Sequence, residues 1–134
     1  MTSKVFYNGA LRSTCTHLQS GQSIITDAPT DNNGRGEAFS PTDLTATSLA
    51  TCMITVMGIK ASANDWNIDG AELEVTKVMA SEPRRISEIH VKVIMPARDF
   101  DEKSIKILEN TARTCPVALS LHPDIKQLIS FEWQ

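Results

Sequence analysis

The chain has 134 residues, the usual allotment of one domain, and 41% are hydrophobic, which supplies a packed core and excludes wholesale disorder. A net charge of −3 and a sequence pI near 5.5 exclude the basic footprint of a nucleic-acid binder. No run approaches the ~18 unbroken apolar residues of a membrane span, and Met1-Thr-Ser-Lys-Val-Phe-Tyr7 lacks the apolar core and cleavage site of an export signal. Three cysteines in such a chain read as cytosolic thiols rather than a disulfide framework, so a cytoplasmic protein is expected.

In chain order, Lys4-Val-Phe-Tyr7 favours a strand, Asn8-Gly9 signals a tight turn, and Leu11–His17 completes a hairpin. Gly21 marks the next turn and Ser23–Thr26 a third strand. Asp27 to Ser40 shifts to the Asp, Pro, Asn and Gly of a loop, and a loop of that length inside one domain is often functional. Ser40 then stands as an N-cap, with Pro41 at the first helical position, and the helix runs to about Ala63. Its apolar residues are spread around most of the circumference, which predicts a buried helix, one face of it covered by a second subunit. Ala71–Met79 and Arg85–Met95 form a hairpin turning at Glu82-Pro83. Asp101 caps a helix ending near Thr114, Pro116–Leu121 is a short helix, and Ile125–Trp133 is the last strand. The expected fold is a single α+β domain over residues 1–134, in the order β-β-β-α-β-β-α-α-β.

The cysteines differ in setting. Cys52 lies in the middle of the long helix, where apolar surroundings disfavour a thiolate, so it reads as a small core residue unless a cation reaches it. Cys115 falls at the N-cap of the short helix, where unpaired N–H groups favour the thiolate, with Arg113 two residues before it. Cys15, between two threonines on a strand, reads as structural. Cys15, His17, Cys115 and His122 offer no usual zinc spacing, and no CxxC pair exists. His90 and His122 are candidate bases for a cysteine, with no orienting group visible. Gly34-Arg-Gly36 is no phosphate loop.

Phe39-Ser-Pro-Thr-Asp-Leu-Thr-Ala-Thr-Ser-Leu-Ala-Thr-Cys52 resembles the central-helix signature of the OsmC/Ohr family, and Thr114-Cys-Pro-Val-Ala-Leu-Ser-Leu121 resembles its second-cysteine motif. The two motifs come in the family's order, with sixty-two residues between Cys52 and Cys115. The resemblance implies an intertwined homodimer with sites at the subunit interface, and reduction of organic hydroperoxides without metal, haem or flavin. It gives Cys52 the role of peroxidatic thiolate and Cys115 that of the resolving thiol, through an intrachain disulfide reduced by a dithiol donor such as a lipoyl protein. It also implies an arginine that activates the first cysteine and an acidic residue that holds the arginine. Arg35, in the loop before the helix, is the preferred arginine and Arg12, in the first hairpin, the alternative. The acidic residue is a departure: Pro41-Thr42 stands where the family has Pro-Glu, and Asp43 follows one place later, ~100° further around the helix. That departure resembles a less characterised OsmC-like branch. Two further readings accompany the peroxidase, namely a non-catalytic dimer binding a small apolar ligand and a thiol redox sensor.

Overall fold

The order of elements follows the hydrophobic pattern. The computed structural model describes residues 1–134 and gives strands β1 (Ser3–Gly9), β2 (Arg12–His17) and β3 (Ser23–Asp27), then helix α1 (Pro41–Ala63). Strands β4 (Glu72–Ala80) and β5 (Arg85–Ile94), helices α2 (Glu102–Ala112) and α3 (Pro116–Ser120), and strand β6 (Lys126–Glu132) complete it. This is the expected α+β order. A 3-10 turn at Thr30–Asn32 inside the long loop was not expected from the sequence.

The chain divides into two units, Met1–Thr45 and Ala46–Gln134. In the first, β1, β2 and β3 form an antiparallel sheet in that order. The first turn differs from the expectation. β1 continues through Asn8-Gly9, with its register shifting between Tyr7 and Gly9, and the turn falls on Ala10 and Leu11 at φ 52° and 62°. Both central residues take the left-handed conformation that suits the twist of a two-residue hairpin. Phe6, Thr14 and Ile25 are register partners across the sheet, as are Val5, Cys15 and Ile24. Partners share a face, and successive residues alternate.

The second unit holds the apolar core. Strands β4 and β5 pair antiparallel, and β6 pairs parallel to β5 after the crossover through α2 and α3. Ala46, Leu49, Ala50, Met53, Met57 and Ala61 of α1 recur at helical spacing and share one core with Ile89, Val91 and Val93 of β5 and Leu108 of α2. By length and apolar composition alone, α1 is long enough to cross a membrane, but this stripe makes it the core helix of the unit. It is not buried all round by its own chain. Thr51, Thr55 and Ile59 are exposed, Ile59 to 67%.

Candidate active site

The two thiols named from the sequence are neighbours. Cys52, on α1, is half-buried and packs against the core. Cys115 is fully buried at the N-cap of α3, with extended backbone at φ −65° and ψ 147°. Pro116 occupies the first helical position, where its missing N–H leaves no bond unmade. The Cys115 sulfur accepts the Ala118 N–H at 3.4 Å. Both cysteines are free, and Cys52 lies close enough to Cys115 to bear on its titration.

The protonation of Cys115 departs from the sequence-based expectation. Burial pushes the thiol above its ordinary range, and the neighbouring Cys52 adds to the rise. The amides of Ala118 and Val117 pull the other way and lose. A helix end favours a thiolate most where the charge is also solvated, and Cys115 is fully buried. Arg113 lies over the Phe131 ring, 5.6 Å from its centroid.

The third cysteine and two of the histidines have partners of their own. Cys15 belongs to β2 in the first unit, opposite Val5 and Ile24. His90 Nε2 pairs with Glu88 at 2.8 Å, and His122 Nδ1 accepts the Asp124 N–H at 3.1 Å. No three His, Cys, Asp or Glu side chains converge as a metal ion requires.

The first unit carries a second constellation. Arg12, at the start of β2, faces Asp27, at the end of β3, across the sheet. Its Nε donates to Asp27 Oδ1 at 2.7 Å and its Nη2 to Asp27 Oδ2 at 2.8 Å. This is the two-point fork that makes arginine–carboxylate pairs rigid. Nη2 also reaches Glu37 Oε2 at 3.2 Å, and the Glu37 amide donates to Asp27 Oδ2 at 3.2 Å. Asp27 is only 1% exposed. The Arg12 bonds hold its carboxyl below the usual carboxylate range, against the opposing effect of burial, and raise the guanidinium further still.

Arg35 and Asp43 sit differently. Arg35 is exposed in the loop and bears on Asp27 through charge. Asp43 Oδ2 accepts the Ser40 N–H at 2.9 Å while Ser40 Oγ accepts the Asp43 N–H at 3.0 Å, a reciprocal capping box at the start of α1. Asp27 and Glu37 were not singled out from the sequence. The available signal was the turn between His17 and Gln22, whose closing bond sets Arg12 opposite Asp27 by equal counting along both strands.

Comparison with known proteins adds the family. The model of the OsmC-like protein family matches residues 34–128. A crystal structure of an osmotic stress induced and detoxification response protein, so described without established function, from Psychrobacter arcticus 273-4 is 57% identical. The match covers 98% of this chain and 96% of that one, with a TM-score of 0.95. An organic hydroperoxide resistance protein OsmC from Legionella pneumophila matches at 13% identity and TM-score 0.76, covering 98% of this chain and 97% of its own. The organic hydroperoxide resistance protein OhrB of Bacillus subtilis matches at 18% and 0.69, covering 98% of each chain. At those identities the likeness is one of fold. A search of curated protein sequences gives no match.

Proposed function

The chain belongs to the OsmC-like protein family, and on that premise we propose that it reduces organic hydroperoxides with the Cys52 and Cys115 thiols. The observation that carries the reading is their pairing: a half-buried thiol, Cys52, beside a fully buried one, Cys115, both free. The Cys52 thiolate attacks the terminal oxygen of the hydroperoxide. An S–O bond forms as the O–O bond breaks, and the departing alkoxide takes a proton to become the alcohol. Cys52 is left as a sulfenic acid. The Cys115 sulfur displaces its hydroxyl, the thiol proton leaves in the water formed, and a disulfide joins the two residues. A dithiol donor, such as a lipoyl group, supplies the two electrons that restore both thiols.

The division of labour suits the two environments. Cys115 keeps its proton, so it does not compete for peroxide, while Cys52 is the sulfur with access. Apolar neighbours around Cys52 favour an alkyl hydroperoxide over hydrogen peroxide. The resemblance calls for an activating arginine, for which the sequence offers Arg35 first and Arg12 as the alternative. The working protein is a cytoplasmic homodimer. Treatment with one equivalent of cumene hydroperoxide, followed by mass-spectrometric thiol mapping, should give a Cys52–Cys115 disulfide rapidly, and more slowly with hydrogen peroxide. Cys52→Ser should abolish peroxide consumption, and Cys115→Ser should permit one turnover only. Sustained turnover by Cys52→Ser, or two thiols that stay reduced, would overturn the reading.

A further inference from the structure

Strand β6 breaks its own pattern at one position. Gln127, Ile129 and Phe131 alternate on the half-buried face of the strand, with Lys126, Leu128, Ser130 and Glu132 exposed between them. Ile129 and Phe131 pack against the core, and Gln127 is the one polar residue in that row. Its Nε2 donates to the Ala118 carbonyl of α3 at 3.0 Å. We propose that Gln127 is a positioning residue for Cys115: through Ala118 it fixes α3, and so holds the resolving thiol where it can close on Cys52. That role presupposes the peroxidase reading, and all four residues belong to the second unit, Ala46–Gln134.

A helix of five residues is too short to persist alone, so α3 keeps its place through what grips its ends. The last carbonyls of a helix lack amide donors inside it. Leu121 is already extended, with its N–H bonded to Val117 O at 3.1 Å, and Pro123 brings no N–H. The Gln127 side-chain amide supplies the donor that Ala118 needs. A glutamine in an apolar row forgoes the burial a leucine or valine would gain there, which marks the position for a specific bond rather than for packing. At the other end, the Cys115 sulfur accepts the Ala118 N–H at 3.4 Å. That sulfur is the reacting atom, so the hold that does not depend on it is the one Gln127 makes. A further tie lies before the cysteine, where Arg113 rests over Phe131, four residues along the same face of β6. The segment carrying Cys115 is thus fastened on either side to one row of β6. The strand is fastened in turn by its parallel pairing to β5, with Gln127 opposite the fully buried Ile89.

The experiment separates the two steps of one turnover. One equivalent of cumene hydroperoxide is added to the reduced protein, and loss of the Cys52 thiol times the first step. Samples quenched in acid and mapped by mass time the second, in which the Cys115 sulfur displaces the hydroxyl of the Cys52 sulfenic acid and water leaves. Dimedone, which traps sulfenic acids, marks the molecules that have not closed. Gln127→Met keeps the length of the side chain and loses the donor. It should leave the first step at the parent rate and slow closure by about 10- to 100-fold, with the dimedone adduct at Cys52 rising to match. Gln127→Lys, which restores an N–H donor of similar reach, should recover part of the closure rate. Thermal unfolding checks that Gln127→Met is folded; if it is not, Gln127→Glu, a carboxylate without a donor near neutrality, takes its place with the same expectation. Closure at the parent rate in the folded variant would overturn the positioning role. Equal slowing of both steps, with no recovery in Gln127→Lys, would assign Gln127 to the fold alone and overturn it too. A parent protein whose Cys52 does not react with peroxide would instead remove the peroxidase reading, and this role with it, before any variant is made.

Discussion

Cys115 holds its proton in the folded chain at pH values where an exposed thiol releases it, because burial outweighs the two amides aimed at its sulfur. Its contribution to stability is therefore complete below the ordinary thiol pKa of about 8.5. It is lost as pH rises through that value toward the raised folded one. Thermal melts across that alkaline range should show Tm falling with pH, and the fall should flatten in Cys115→Ala; an equal slope in both would mean another group carries it. Asp27 works in the opposite sense. Its folded pKa is depressed by Arg12, so its contribution is present above the ordinary aspartate value of about 3.9 and disappears as pH falls through the lowered one. Asp27→Asn should accordingly be less stable near neutrality and less sensitive to acid. Denaturant midpoints near pH 7 and pH 3, approximate settings on either side of that value, measure both effects.

Among the elements, the loop between β3 and α1 is the one whose geometry hangs on a single small residue. Its ends are tied by Asp27 N–H to Phe39 O at 3.1 Å, and its interior by Gly36 N–H to Ala28 O at 3.2 Å. Gly34 passes so close to the Ala28 carbonyl that an added Cβ would overlap backbone atoms, which have no rotamer through which to yield. Gly34→Ala should displace the loop and with it the Glu37 contacts to Arg12 and Asp27, lowering Tm. A parent-like Tm would show the loop to be dispensable. Ser40→Ala, which removes one half of the capping box, should cost about 1 kcal/mol in a denaturant melt. These elements also show what sequence can and cannot tell. Helix α1 and both cysteine positions were legible because periodicity, an N-cap serine and Pro116 are local signals. The Arg12–Asp27 pair was not, because it depends on strand register: Asp27 looks like the first residue of a polar loop until β2 and β3 are laid side by side. The sign of the Cys115 shift escaped for a similar reason, since burial is set by residues remote in sequence.

For the whole molecule, the unsolved surface is the first sheet. Val5 is 67%, Phe6 69% and Tyr7 62% exposed on adjacent positions of β1, so both faces of that strand present apolar side chains to solvent. Isolated exposed apolar residues are ordinary, but a consecutive run on both faces asks for cover. Sedimentation should therefore give a mass near twice the 14.7 kDa of one chain. The variant Phe6→Asp/Tyr7→Asp should shift it toward one chain. A monomer in the parent protein would remove the homodimer from the proposal.

The sulfur of Cys115 has two occupations, since the atom assigned to close the disulfide also caps the first turn of α3. Each passage through the proposed catalytic cycle would then redraw the bond that anchors this helix. The Ala118 amide becomes a built-in reporter: its proton resonance and exchange rate should alternate between two values as peroxide and dithiol are added in turn. Chemistry at one sulfur would be legible in the backbone, with no label attached to either cysteine.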